Sequence, residues 1–348
     1  MTIIQILTIT ILLFSVQVLY MKLARRFQIV DQPNMRSSHS VSTITGAGII
    51  FIVAMITYAL LYKLDYTYFL GGLFVAGIIS FLDDLKPISY KIRIMCQSIA
   101  VALLFGELEL FGFPVYVIVL LFVVTIGMVN AINFMDGING MTGSYAFITL
   151  GTLLYINQFV VKDFAPSSFI ITAMAAVAVF NFFNFRTKAK CFAGDVGSVS
   201  NAFILLFLIG ELILKSGNVG YILLLFVYGL ETGTTIFFRL LRKENIFEAH
   251  RSHYFQFLVN EKKIPHLYVS SAYALAQLVF NVLLISSLIY SLAAILMVTV
   301  VITYCFILLR FWMEGKKRLL TYTVYESVKS QLNSAKAPAG SPQFTKGL

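Results

Sequence analysis

Residues 67–93 read TYFLGGLFVAGIISFLDDLKPISYKIR. The stretch 67–82 carries no charge, is closed by Asp83 and Asp84, and is followed at once by Lys86, Lys91 and Arg93. An apolar run that ends in charge reads as a helix crossing a lipid bilayer and surfacing at the headgroups. The pattern recurs along the whole chain. Apolar runs fall at 3–20, 46–62, 67–82, 93–106, 114–131, 143–160, 167–184, 199–214, 219–238, 268–289 and 291–309. With 59% hydrophobic and 12% charged residues among 348, and a mean hydropathy of +0.86, a soluble enzyme is excluded. The expected fold is an all-α polytopic membrane protein of about eleven transmembrane helices.

If the segments alternate, one side carries 23 Lys/Arg and the other only Lys63, Lys162 and Lys215. That asymmetry predicts that the basic connections are cytoplasmic, with the N-terminus outside, the C-terminus inside and the protein in the cell's inner membrane. The net charge of +10 then reflects orientation and anionic lipid, not nucleic acid. Lys22, Arg25 and Arg26 follow the first run, the reverse of a cleavable signal peptide, so that run is expected to stay as a helix. Outer connections are short. Residues 1–312 read as one membrane domain, and 313–348 as a polar cytoplasmic tail whose end looks flexible or appended. Cys96, Cys191 and Cys305 are scattered, with neither disulfide nor zinc spacing.

Four clusters on the basic side carry chemistry. Asp83 and Asp84 repel one another unless a cation or proton intervenes. In MVNAINFMDGINGM, residues 128–141, Asn130, Asn133 and Asp136 recur at spacings of three. That puts both Asn on one helical face, with interhelical hydrogen bonding as the alternative to ligand binding. NFRTKAKCFAGDVGS, residues 184–198, joins Asn184 to Asp195 through Arg186, Lys188 and Lys190, with Phe192 able to stack on a planar base. Its GDVGS turn before a helix offers a carboxylate and free backbone N–H groups to a metal-bound phosphate. The last cluster, FEAHRSHYFQ, sets His250 and His253 one turn apart around Arg251. Two histidines alone make a poor zinc site, and a phosphate clamp fits Arg251 better. Hard oxygen donors beside Arg and Lys describe Mg²⁺-assisted phosphoryl transfer.

These motifs together resemble the polyprenyl-phosphate N-acetylhexosamine-1-phosphate transferases. The likeness runs from Asp31 to about Gln256 through DQPNMRSSH at 31–39, Gly46 and Gly48, Asp83-Asp84, NFMDGING at 133–140, GDVGS at 194–198 and the HRSH loop. The resemblance implies a cytoplasmic UDP-N-acetylhexosamine, undecaprenyl phosphate in the membrane, Mg²⁺ with Mn²⁺ as substitute, release of UMP, and initiation of a cell-wall or O-antigen type polysaccharide. It admits a homodimer. By the same transfer Asp83 deprotonates or orients the acceptor phosphate, Asp84 supports it, Asn133 and Asp195 hold Mg²⁺, and Asp136 tunes that site. Lys86, Arg93 and Arg251 neutralise phosphates, with His250 and His253 beside them, while Asn184 and Phe192 face the uracil. The HRSHYFQ loop has fewer histidines than the best-known members carry. It therefore resembles the branch using UDP-GlcNAc or a 6-deoxy relative more than the one using UDP-MurNAc-pentapeptide. The rivals are an aspartate-rich membrane prenyltransferase, which wants paired Asp motifs absent here, and a transporter, for which Glu211 and Glu231 would be the intramembrane acids.

Overall fold

The computed structural model of the chain describes residues 1–33, 38–39, 41–62, 66–246, 250–286 and 292–321. Part of the 31–39 motif, Lys63, the 247–249 stretch and the tail from 322 lie outside the described residues. Each of the eleven apolar runs contains a helix: α1 (Ile3–Arg26), α2 (Ile49–Tyr62), α3 (Thr67–Leu85), α4 (Tyr90–Glu107), α5 (Val115–Met135), α6 (Met141–Phe159), α7 (Ser167–Asn184), α8 (Gly194–Ser216), α9 (Phe226–Leu241), α11 (His266–Ile285) and α12 (Leu292–Glu314). Two short helices, α10 (Tyr254–Asn260) and α13 (Lys316–Leu320), complete the set. A 3₁₀ segment, Val219–Leu225, runs straight into α9 and lengthens it. Among the described residues eight helical segments are long and apolar enough to cross a membrane, and the 14-residue α2 is a shorter apolar helix. The fold class is all-α and polytopic.

The buried rod of the bundle is α8, which packs against α3, α5 and α2, whereas α1, α5 and α12 turn most of their surface outward. Gly48 and Gly197 make the α2–α8 approach possible: a Cβ on Gly48 would stand 2.0 Å from the Gly197 Cα. At the end of the bundle away from the basic connections, Phe69 stacks on Phe207 with centroids 4.4 Å apart, and Phe169 and Phe203 extend the cluster. Along α6 and α11 a polar ladder replaces apolar packing. Tyr145 donates to Gln277 at 2.6 Å, Gln277 to Asn281 at 2.6 Å, and Asn281 to Thr152 at 2.9 Å. Such side-chain bonds tie helices where lipid offers no competing partner.

The connections at the basic end are the structured ones. Strands β1 (Val30–Asp31) and β2 (Thr43–Ile44) pair antiparallel, and Tyr20 of α1 pins Thr45 through its carbonyl at 2.7 Å. The hairpin is stitched to the segment before α8: Phe192 N–H donates to Ile44, Ala47 N–H to Phe192 and Gly48 N–H to Ala193. At the start of the segment expected as a tail, α12 runs to Glu314 and Leu319 of α13 is buried.

Candidate active site

The ends of α3, α5 and α7, the β1–β2 hairpin and the starts of α8, α10 and α11 meet around a cavity of about 560 Å³, a size suited to a small organic ligand. Asp31, Asp83, Asp84, Asp136 and Asp195 all line it. Successive helical residues point about 100° apart, so the adjacent pair on α3 serves two different neighbours. Asp83 turns to α4: its carboxylate accepts Arg93 Nη1 at 2.7 Å and Ile88 N–H at 2.6 Å. The same guanidinium lies 3.8 Å from Asp195.

Asp84 turns to α8 and accepts the N–H groups of Asp195 at 2.8 Å and Val196 at 3.1 Å. The start of α8 thus has its cap supplied by another helix, with a carboxylate on the positive end of its dipole. This explains why α8 begins at Gly194, five residues before the apolar run suggested, and it corrects one expectation. The N–H groups of Asp195 and Val196 are not free for a phosphate, because Asp84 occupies them. Gly194, at φ +71°, lets the carboxylate in: a Cβ there would be 2.4 Å from Asp84 Oδ2.

Asp136 caps α5, accepts the Thr142 hydroxyl at 2.6 Å, and has its pKa raised from 3.8 to about 6. Burial is the largest cause, the Thr142 bond opposes it, and Asp31 adds to it. Asn133 lies one turn earlier and is not part of the wall. Its Oδ1 accepts the Ser198 hydroxyl, which also donates to the Asp195 carbonyl, so α5 and the first turn of α8 are joined beside the cavity. Asn130 instead donates to Gln97 of α4 at 3.3 Å, the interhelical alternative. Asn184 lines the cavity with both ends of its amide in use, accepting Gly140 N–H at 2.7 Å and donating to the Cys191 carbonyl at 2.8 Å. Phe192 lines it too, its ring edge-on to His39 at 4.8 Å.

The model of glycosyl transferase family 4 matches residues 66–212, the span that holds Asp83, Asp84, Asn133, Asp136, Asn184, Phe192 and Asp195. The chain resembles this family over that span. Similar proteins include an undecaprenyl-phosphate alpha-N-acetylglucosaminyl 1-phosphate transferase of Thermotoga maritima, 27% identical over 81% of this chain and 90% of the relative. The Escherichia coli protein of the same name is 29% identical over 58% of this chain and 61% of its own length. A phospho-N-acetylmuramoyl-pentapeptide-transferase of Streptococcus mutans is 32% identical over 45% of this chain and 55% of its own length. The chain thus spans about half the length of the Streptococcus relative and nearly all of the Thermotoga one.

Of the residues expected in the site, the structure brings Asp83, Asp84, Asp136, Asn184, Phe192 and Asp195 to one cavity, with Arg93 bridging two of the aspartates. Lys86 is exposed, and it, Asn133, His250, Arg251 and His253 do not line the wall. Burial, His253 and two arginines push the His250 imidazole down to about 2, so it is neutral at physiological pH. His253 is 3% exposed and faces Glu231 at 3.0 Å.

Lining residues that the sequence reading passed over are Asp31, His39, Asn139, Gln256 and His266. Asp31 and His39 stand at the two ends of the 31–39 motif, 3.6 Å apart, and burial raises the Asp31 pKa against the pull of His39. Asn139 lies inside the NFMDGING motif, and its N–H donates to His266 at 3.2 Å, but nothing around His266 in the sequence marks it.

The donor set fits a hard divalent cation bound in the manner of Mg²⁺. Among the described residues no three His, Cys, Asp or Glu side chains are grouped to hold a metal ion by themselves. Mg²⁺ commonly takes one or two protein oxygens and completes its shell with water and substrate phosphates. Asp195 suits this, since its side chain is 35% exposed and its carboxylate lies beside Asp83 with Arg93 at 3.8 Å. The amide oxygen of Asn133 has a second lone pair beyond the one facing Ser198.

Proposed function

We propose that the chain transfers N-acetylhexosamine 1-phosphate from a UDP-sugar to undecaprenyl phosphate, releasing UMP and leaving a lipid-linked diphosphate sugar. One observation carries this reading: five aspartates from four segments face one cavity in a chain similar to sugar-phosphate transferases. A diphosphate enters so acidic a mouth only with a divalent cation between them. Mg²⁺, when bound, would neutralise the pyrophosphate and draw electron density from the phosphorus under attack.

Asp195, with Asn133 beside it, would hold the ion, and Asp84 keeps Asp195 in place by capping α8. Asp83, fixed by Arg93 and the Ile88 N–H, orients the acceptor phosphate, while Arg93 screens charge between Asp83 and Asp195. An acceptor oxygen attacks the β-phosphorus. One P–O bond forms there as the bond to the bridging oxygen breaks, and UMP leaves with that oxygen. Direct transfer needs no covalent aspartyl step. Phe192 stands where a planar base would stack, while Asn184 acts from behind by holding Gly140 and Cys191.

The 23-to-3 distribution of Lys/Arg supports an active site on the cytoplasmic face of the inner membrane, because the cavity sits among the basic connections. UDP-GlcNAc or a 6-deoxy relative is favoured as donor, since the alignment spanning nearly the whole relative is with the N-acetylglucosaminyl enzyme of Thermotoga. The test is a purified assay with undecaprenyl phosphate, Mg²⁺ and a panel of radiolabelled UDP-N-acetylhexosamines. Label should move to the lipid phase with one of them, with UMP released in equal amount. No labelled lipid with any donor would end the proposal.

A further inference from the structure

Beyond the matched span, the C-terminal third buries a set of charges that the reaction does not use. Glu231 and Arg239 of α9, Arg242 and Glu244 after it, and Arg310 of α12 are each no more than 7% exposed. Buried ion pairs add little net stability against apolar packing and are best understood where they fix one conformation. What they fix here is the backbone at Ser252–Tyr254.

Arg310 works from one side. Its Nε donates to Glu314 at 2.6 Å, its Nη1 to the hydroxyls of Thr234 and Thr235, and its Nη2 to the Ser252 carbonyl at 3.2 Å. Glu231 works from the other, accepting Tyr254 N–H at 2.8 Å, facing His253 Nδ1 at 3.0 Å, and accepting the Tyr273 hydroxyl at 3.2 Å. Glu231 is therefore accounted for by a closed network, not by a transport path. The held residues start α10. His253 is its N-cap, in a reciprocal capping box with Gln256, and Gln256 lines the cavity. Phe255, between them, packs on Gly137 beside Asp136.

We propose that Arg310 and Glu231 are positioning residues for the donor side of the cavity. The last long helix sets residues 252–254 and, through the His253 cap, the placement of Gln256. The kinetic part of this inference rests on the proposed nucleotide-sugar reaction. Asp83 and Asp195 hang from α3 and α8, which this network does not touch, so its loss should weaken donor binding more than the chemical step.

The experiment compares Arg310→Met and Arg310→Lys in the full chain with wild type, by KM and kcat for UDP-GlcNAc and by amide exchange at 252–257 and 194–198. Arg310→Met should raise KM by roughly ten-fold with kcat within about three-fold, and speed exchange at 252–257 by roughly ten-fold while 194–198 stay protected. Arg310→Lys should fall between, because one ammonium cannot replace a five-donor fork. Unchanged KM and exchange in both variants, or faster exchange at both segments together, would overturn the proposal. Should Arg310→Met fail to fold, Thr235→Val removes a single partner, and the same shifts at smaller size are expected. If wild type transfers nothing from UDP-GlcNAc, the reaction is what fails, and the exchange data still decide the positioning role.

Discussion

Replacing Gly194 by Ala removes no charge and no hydrogen-bonding group, yet it should stop most turnover. At φ +71° an alanine costs about 1–2 kcal/mol of backbone strain. The larger effect is steric. The new methyl would lie 2.4 Å from Asp84 Oδ2 and 2.8 Å from its Cγ, against an ordinary contact of roughly 3.5 Å, so the carboxylate must retreat by about 1 Å. Its bonds of 2.8 and 3.1 Å to the Asp195 and Val196 amides cannot both survive that. A charge-assisted bond of this kind is worth about 1.5–3 kcal/mol, and the first turn of α8 that carries Asp195 loses its cap. A displacement near 1 Å at a reacting centre costs on the order of 100-fold in rate, equivalent to about 2.7 kcal/mol of barrier. The assay is initial UMP release at saturating substrates, with melting temperature measured in parallel. Gly217→Ala is the control: its φ is +68° but no atom lies within 4 Å, so it should show the strain alone and normal turnover. Near-native kcat in folded Gly194→Ala would refute the view that Asp84 acts by holding Asp195.

Asp136 gives a pH test with opposite signs for activity and stability. Because its pKa rises from 3.8 unfolded to about 6 folded, the folded state binds the extra proton between these values, and its contribution to stability falls as pH rises through that window. Activity that needs the carboxylate should instead rise through about pH 6, and Asp136→Asn should flatten the stability difference; parallel curves for wild type and variant would contradict this. Binding of UDP should depend on the divalent ion: a titration in excess EDTA should show at least about ten-fold weaker affinity, and equal affinity would remove the metal role of Asn133 and Asp195.

The helices were legible because lipid imposes a one-dimensional rule, a run of apolar residues, and each of the eleven runs contains a helix. The Asp83–Arg93 pair went unread, although the two sit on either side of one short turn; Arg93 was expected on a phosphate. What the sequence hid depends on distant partners. The true start of α8 follows from Asp84, 111 residues earlier than Asp195, so no local pattern marks it. His253 and His250 look like a pair by spacing, but His253 turns to an acid on α9 that the apolar pattern assigned to the membrane. Asp31, His39 and His266 become wall residues only when the β1–β2 hairpin and the start of α11 close over the aspartates. Asn130 and Asn133 share a helical face, and each bonds a different neighbouring helix, Gln97 of α4 and Ser198 of α8.

The most direct measurement is transfer of labelled sugar phosphate to undecaprenyl phosphate by purified Asp83→Asn and Asp195→Ala, each first shown to be folded and inserted. With the reacting phosphates gathered at this acidic mouth, both variants should release no UMP above background. Turnover near that of wild type in either one would place the chemistry elsewhere in the molecule.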